Sequence, residues 1–417
     1  MKKHYTLVRP AFCRTAVLAF VHSHFWTILL TEYTHTSQQV SLSDSSLPSA
    51  PVWGIVERKG DQAWLRSSAR SYHPHPSDPF IPSRLLRKWD LKTGDKIQGL
   101  SSVGDKPRLV DLQYINDVSI SHPGILNRTA FEDLTALFPR QPLVLETQDG
   151  SQEDLSRRMI DLLAPQGKGQ RALIVSPPKA GKTMLLTHIA QGIERNHPDT
   201  IVFVVLIDER PEEVTEMQRL IAAEVVSSTF DEPAKSHVRV AEITIERAKR
   251  LVEQGKDVVV LMDSITRLAR AYNTIAPHSG KILSGGVDAN VLHYPKRLFG
   301  AARNTEEAGS LTIIATALVD TGSVMDQVIF EEFKGTGNSE VVLERKLSEK
   351  RLHPSVSISK SGTRREELLV DENTQHKTII LRRLLHEMDD ITAHKFLLDK
   401  LKTTKSLAEF FKAMSGK

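Results

Sequence analysis

Eight residues, Ser176-Pro177-Pro178-Lys179-Ala180-Gly181-Lys182-Thr183, lie between an apolar run and a helical pattern. In that context the string reads as a phosphate-binding loop, with Ser176 where the general pattern has glycine. Loop amides and a helix N-terminus offer unpaired donors and a positive dipole end, which together cradle a triphosphate. Lys182 is placed to neutralise the β and γ phosphates, and the Thr183 hydroxyl is a hard oxygen ligand for Mg²⁺. ATP and Mg²⁺ are therefore the expected ligands. Two carboxylates extend this chemistry. Asp263 ends the apolar run Val258 to Met262 and is the candidate to hold Mg²⁺ or its water. Glu209 ends the run Ile201 to Ile207, flanked by Asp208 and Arg210, and is the candidate general base for an attacking water.

These residues need a parallel sheet to bring them together, because open α/β sheets bind ligands at the carboxyl ends of their strands. The sequence supplies one. Arg171 to Ser176, Thr200 to Ile207, Asp257 to Met262 and Ser310 to Leu318 read as buried central strands. Helices are expected near Lys182 to Asn196, Pro211 to Glu224 and Thr244 to Gln254, and again after Arg364, where Thr392 and Ser406 are N-cap candidates. Upstream, short apolar runs at Val52 to Val56, Ala63 to Leu65, Pro79 to Ile81, Lys96 to Leu100 and Arg108 to Tyr114 predict a small β domain. Turns at Lys59-Gly60-Asp61 and Thr93-Gly94-Asp95 suit barrel corners, and a five-stranded OB-type barrel fits the size. The fold class is thus α/β, a parallel-sheet domain with a phosphate-binding loop (155–417) preceded by a small OB-type β-barrel (52–118). Asn127, Pro139 and Pro142 punctuate an extended connector (119–154).

Composition narrows the class without naming a function. Hydrophobic residues are 40% and charged residues 25%, values of a soluble globular protein, and the net charge of +4 is compatible with a polyanionic partner. Cys13 is the single cysteine, which excludes an internal disulfide framework or a cysteine-rich metal site and fits a reducing, cytoplasmic setting. Residues 1–51 read as an appendage and linker. Arg14, His22 and His24 interrupt its apolar stretch, so it spans no bilayer.

Longer strings carry a resemblance. PPKAGKTMLL (Pro177 to Leu186), LIDERPEEVTEMQR (Leu206 to Arg219), DSITRLARAYN (Asp263 to Asn273), SGGVDAN (Ser284 to Asn290), FGAARN (Phe299 to Asn304), EEFKGTGN (Glu331 to Asn338) and SGTRREELL (Ser361 to Leu369) resemble the Rho family of bacterial transcription terminators. The resemblance implies a RecA-like ATPase domain behind a cold-shock-like RNA-binding domain, in a homohexameric ring that hydrolyses ATP, translocates 5′ to 3′ on single-stranded RNA and acts on RNA polymerase elongation complexes. It implies roles residue by residue. Lys182, Glu209 and Asp263 keep those argued above, and Arg364 matches the arginine finger that reaches a neighbouring subunit's nucleotide, with Arg345 a second candidate. Nucleotide contacts fall on Gly167, Lys168, Gly169, Gln170, Arg171, Ala172, Lys179, Ala180, Gly181, Thr183, Met184, Arg210 and His353. His353 stands where phenylalanine is usual.

For RNA, the resemblance places a pore loop over Gly280 to Gly286, with Lys281, Ile282, Leu283, Ser284, Gly285 and Gly286 on the strand's path. A second lies near Thr321 to Asp326, where Val324 replaces a usual lysine. Primary RNA contacts fall on Trp64, Arg66, Asp78, Phe80 and Arg108, with Gln62 and Pro107 departing from the pattern. Aromatics on such a face stack bases while cations track phosphates. Two other readings compete: a ring-forming RNA regulator without motor action, and a related ATPase acting on protein or DNA.

Overall fold

The computed structural model describes residues 48–277, 282–288 and 290–414. Most of the appendage and the pore-loop residues Gly280 and Lys281 lie outside them.

The first sheet is antiparallel and curled, with strands β1 (Ser49–Lys59), β2 (Gln62–Arg66), β3 (Phe80–Ile81), β4 (Lys96–Ser102), β5 (Leu109–Ile115) and β6 (Val118–Ser119) in the order β3-β2-β1-β4-β5-β6. A parallel bridge between Phe80 and Arg108 ties the β3 edge to the start of β5. Alternation along the strands turns Val56, Leu65, Ile81, Ile97, Leu109 and Leu112 into one core, capped by the short helix α1 (Ser83–Lys88). The five runs foreseen as strands all occur, and β6 is added.

The connector runs extended through β7 (Ala136–Leu137) and enters α2 (Gln152–Leu163), whose N-cap Ser151 accepts from the Asp154 amide. Beyond it, β8 (Arg171–Ser176), α3 (Lys182–Asn196), β9 (Ile201–Glu209), α4 (Pro211–Leu220), β10 (Glu224–Thr229), α5 (Ala234–Glu253), β11 (Val258–Asp263) and α6 (Ile265–Ile275) alternate. A small hairpin, β12 (Ile282–Leu283) and β13 (Val287–Asp288), precedes α7 (His293–Gly300), β14 (Arg303–Thr305), β15 (Ser310–Leu318), α8 (Val324–Lys334) and β16 (Ser339–Val342). The chain then passes α9 (Arg345–Glu349) and β17 (Gly362–Thr363), and finishes in α10 (Glu372–His386), α11 (Asp390–Lys402) and α12 (Leu407–Met414). The main sheet has the order β10-β9-β11-β15-β8-β16-β17, parallel from β10 to β16. Its central strands are apolar throughout because helices cover both faces.

Three local expectations are corrected. The helix foreseen to Glu224 stops at Leu220, and Glu224 opens β10, whose alternation of half-buried and buried residues marks an edge strand. The helix foreseen from Thr244 begins ten residues earlier, after Pro233, because Val238, Ala241 and Ile245 extend its apolar stripe. Asp389, rather than Thr392, caps α11 by accepting from the Ile391 and Thr392 amides. Ser406 accepts from the Glu409 amide and caps α12 as foreseen.

The barrel docks on α5 through polar contacts that composition did not announce. The buried Tyr72 hydroxyl donates to Glu224 at 3.0 Å and accepts from Arg247 at 2.9 Å, while Arg239 bonds Glu57 at 3.0 Å. Gly94 has φ +93° and its α carbon lies so close to α5 that an added Cβ would meet the Glu246 carbonyl carbon at 2.4 Å. Only glycine fits that corner. Among the described residues, no helix is long and apolar enough to cross a membrane.

Candidate active site and RNA-facing surfaces

Because the strands are parallel, the carboxyl ends of β8, β15, β11 and β9 form one edge. Neighbouring strands lie about 4.8 Å apart, so Asp263 and Glu209 sit two and three strands from the phosphate loop. Lys182, in the first turn of α3, bridges that gap. Its ammonium lies 2.6 Å from Asp263 Oδ2 and 2.7 Å from Glu209 Oε1. Thr316, on the intervening strand, donates to Asp263 Oδ1 at 2.6 Å. Arg267, one turn into α6, stands 3.6 Å from Glu209 and donates to the Asp208 carbonyl. Thr316 and Arg267 were not singled out from the sequence, although Arg267 lies within the string that carries Asp263.

The site is nearly dry. Asp263 is fully buried and Glu209 is 2% exposed. Burial opposes the Lys182 charge, but Asp263 and Glu209 outweigh it and hold the ammonium above the ordinary lysine range. For Glu209, burial first and the like charge of Asp263 second raise the pKa, and Lys182 and Arg267 offset only part of this. Of the three ammonium donors, two face carboxylates, which leaves one for a phosphate oxygen.

Gly181 takes φ +89° at the helix entrance, and Lys179 takes φ +63°. The loop is braced from behind: Ser348 donates to the Lys179 carbonyl at 2.9 Å and Ser355 to the Ala180 carbonyl at 2.7 Å. This puts the segment carrying His353 against the loop, with Met184 half-exposed on the first turn of α3. Thr183 Oγ1 lies 3.4 Å from Glu213, and Arg210 is exposed at the N-cap of α4. Thr183, Glu213 and Asp263 are all oxygen donors, the chemistry Mg²⁺ prefers.

Other nucleotide candidates lie elsewhere. Gly167 to Ala172 stand at the amino end of β8, the opposite edge of the sheet. Lys168 pairs with Asp257 there at 2.6 Å, the Gly169 amide bonds Thr312, and Gln170 bonds Asn338. Arg364 stands at the same edge, its amide on the Asn338 carbonyl at 2.9 Å. Neither group joins the phosphate loop of its own chain, since a parallel strand carries its two ends about 3.3 Å apart per residue. Arg345 lies apart from Arg364. It pairs with Glu349 at 2.8 Å and lines a cleft with Pro177.

On the barrel, Trp64 and Phe80 meet edge to face at 6.1 Å, and the Arg108 guanidinium lies 5.6 Å over the Phe80 ring. All three are open to solvent at least in part. Arg66 and Asp78 are not: both are buried, Arg66 bonds Glu57 at 2.6 Å and Asp78 at 2.7 Å, and Arg70 also bonds Asp78. Arg66 Nε and Nη1 are thus engaged inside the barrel, while its guanidinium carbon lies 5.4 Å from the Trp64 ring centre, beside the aromatic face.

The described part of the pore loop presents Ile282 and Leu283 to solvent, 68% and 40% exposed. Gly285, at φ +77°, packs so closely on the N-terminus of α8 that an added Cβ would lie 2.6 Å from the Met325 amide nitrogen. Asn273 holds the Gly286 carbonyl at 3.1 Å. Ser284, Gly285 and Gly286 therefore lie beside Val324, which is 60% exposed, and the two loops foreseen separately form one surface. Lys281 lies outside the described residues.

Comparison with known proteins agrees with this geometry. Residues 52–124 match the RNA-binding domain of the Rho termination factor, and residues 156–363 match the nucleotide-binding domain of the ATP synthase alpha/beta family. A solved structure of an ATPase from the type III secretion system of pathogenic bacteria aligns with TM-score 0.52 and 26% identity over 68% of this chain and 78% of that one. Transcription termination factor Rho of Allochromatium vinosum is 57% identical over 87% of this chain and 88% of that protein, and Rho of Pseudomonas aeruginosa is 56% identical over 87% and 88%. With such identity across both domains, the chain belongs to the transcription termination factor Rho family.

Proposed function

We propose that this protein is an RNA-stimulated ATP hydrolase that assembles as a homohexameric ring, translocates 5′ to 3′ on single-stranded RNA and terminates transcription by acting on nascent RNA of RNA polymerase elongation complexes in the cytoplasm. One observation carries the reading. Lys182, Glu209 and Asp263 converge at one edge of the sheet while Arg364 stands at the other, so a neighbouring copy must supply the arginine. Hydrolysis then depends on assembly.

In this reading Glu209, raised toward neutrality by burial, accepts a proton from the attacking water. The new bond forms between water oxygen and the γ phosphorus, the bond to the bridging oxygen breaks, and ADP leaves with the electron pair. Lys182 and the neighbour's Arg364 stabilise charge on the transferring phosphoryl group. Thr183 and Asp263 would hold Mg²⁺, which supplies charge neutralisation between the β and γ phosphates.

A second reading, a ring that binds RNA without moving it, is favoured by Val324, which offers no cation where the two pore segments meet. Steady-state hydrolysis with and without single-stranded RNA tests the proposal, comparing cytosine-rich with other homopolymers. Strong stimulation by RNA supports it. Hydrolysis indifferent to every RNA, or stimulation without unwinding of an RNA–DNA hybrid, moves the assignment to another ATPase or to the second reading respectively.

A further inference from the structure

Between the barrel and the ATPase domain lies a cleft of about 1050 Å³, floored by α5 and walled by the β1–β2 hairpin, α6 and α7. Its volume stands at the upper end of the ~300–1,000 Å³ of most small-molecule sites. Nine basic side chains line it against four acidic ones. All four acids are already engaged. Glu57 holds Arg66 and Arg239, Glu132 and Glu246 hold Lys249, and Glu242 takes the Tyr272 hydroxyl at 2.8 Å. Arg58, Lys235 and Arg297 are exposed, and among the described residues none has a carboxylate within 4 Å. The cleft therefore presents net positive charge that the fold itself does not consume.

It also presents a stacking platform. Tyr294 lies parallel to Tyr272, interplanar angle 8° and centroids 5.8 Å apart, and Tyr294 is 50% exposed. Free cations beside an exposed aromatic plane are what a single-stranded polynucleotide recognises: phosphates on the cations, a base on the ring. Position gives direction to the argument. One end of the cleft is Arg58 and Lys59 on the hairpin that leads into the Trp64 strand. The other is Arg297 and Tyr294 on α7, the helix that follows the pore-loop hairpin.

We infer that this cleft is an RNA-binding track joining the barrel face to the pore loop within one subunit, with Lys235 and Arg297 holding phosphates and Tyr294 stacking a base. The inference rests on the proposed function and adds a third RNA site to it.

The full-length protein is assayed for ATP hydrolysis under two regimes. One uses two separate short RNAs, each too short to span the cleft, at saturating concentration; the other uses one long RNA. Lys235→Glu and Arg297→Glu should leave the short-RNA rate within about twofold of wild type. With long RNA they should raise the half-saturating concentration about tenfold or more and lower the salt dependence of binding by about one unit of log–log slope each. Arg297→Lys should behave as wild type, because a phosphate contact needs only the charge. Long RNA carrying 4-thiouridine should cross-link to the peptide containing Tyr294 in the unmodified protein. Equal shifts in both regimes, no shift in either, or absence of that cross-link overturns the track. Wild-type protein stimulated in neither regime overturns the proposed function, and the track with it.

Discussion

The Arg364 amide donates to the Asn338 carbonyl at 2.9 Å, which fixes Arg364 at the amino end of the sheet beside Arg171. Burial first, and then the charges of Arg303 and Arg364, press the Arg171 pKa down. In the proposed ring this edge would meet a nucleotide held by a neighbouring copy. Arg364→Ala should therefore lose roughly 10³- to 10⁵-fold in hydrolysis, the range of an arginine finger, with nucleotide binding retained. Lys182→Ala should also be inactive. Mixed together, the two variants form some interfaces with an intact Lys182 and an intact Arg364, and single-turnover hydrolysis should reappear. No recovery at any mixing ratio would mean that each chain uses its own arginine.

Glu209 offers a sharper chemical test. Its carboxyl is raised above the ordinary glutamate range by burial and by Asp263, and a general base works only when deprotonated. The hydrolysis rate should accordingly climb with pH through that raised value and fall on its acid side. Glu209→Gln should lower the single-turnover rate by about 10²- to 10⁴-fold and abolish this acid limb. An unchanged pH profile in the glutamine variant assigns the base elsewhere.

The barrel separates contact from support. Phe80→Ala removes a partly exposed stacking surface and should weaken RNA binding by about 1–3 kcal/mol per base lost, with little change in thermal stability. Arg66→Ala should instead destabilise the barrel by about 1–3 kcal/mol, because it removes the buried cation that Glu57 and Asp78 share, while Arg239 and Arg70 remain beside them. Circular dichroism melts beside RNA titrations distinguish the two. Wild-type stability in Arg66→Ala, with RNA binding lost, would assign Arg66 to direct contact.

Much of this site was legible because it is built from short-range rules. A Gly-Lys-Thr turn after an apolar strand, and acidic residues ending two further strands, define one edge of a parallel sheet before any coordinates exist. The resemblance named Arg364, but only the strand order shows that it stands at the far edge. Thr316 and Arg267 escaped because their roles depend on strand order, β15 lying between β11 and β8 and β9 lying beside β11, which is a non-local fact. The partners of Arg66 are hidden for a related reason: Glu57 comes from the neighbouring strand and Asp78 from a loop twelve residues on. The docking of Tyr72 and Gly94 on α5 carries no local signature at all.

A last prediction concerns acid stability. His394, on α11, is fully buried, and burial pushes its pKa down to about 4 against the usual 6.5, the Val356 and Pro354 carbonyls offsetting only part of this. A folded-state value below the unfolded one means that the neutral ring's contribution is fully present above about pH 6.5. It is lost as pH falls toward 4, because the unfolded chain binds the proton first. Between pH 7.5 and pH 5 this single group should remove about 2 kcal/mol of stability. His394→Leu keeps an apolar side chain in the same enclosure among Leu347, Leu385 and Ala393 and cannot titrate. Urea unfolding of both proteins at the two pH values should show wild type losing about 2 kcal/mol more than the variant; equal losses would place the acid sensitivity on other buried histidines, of which His188 and His237 are shifted in the same direction.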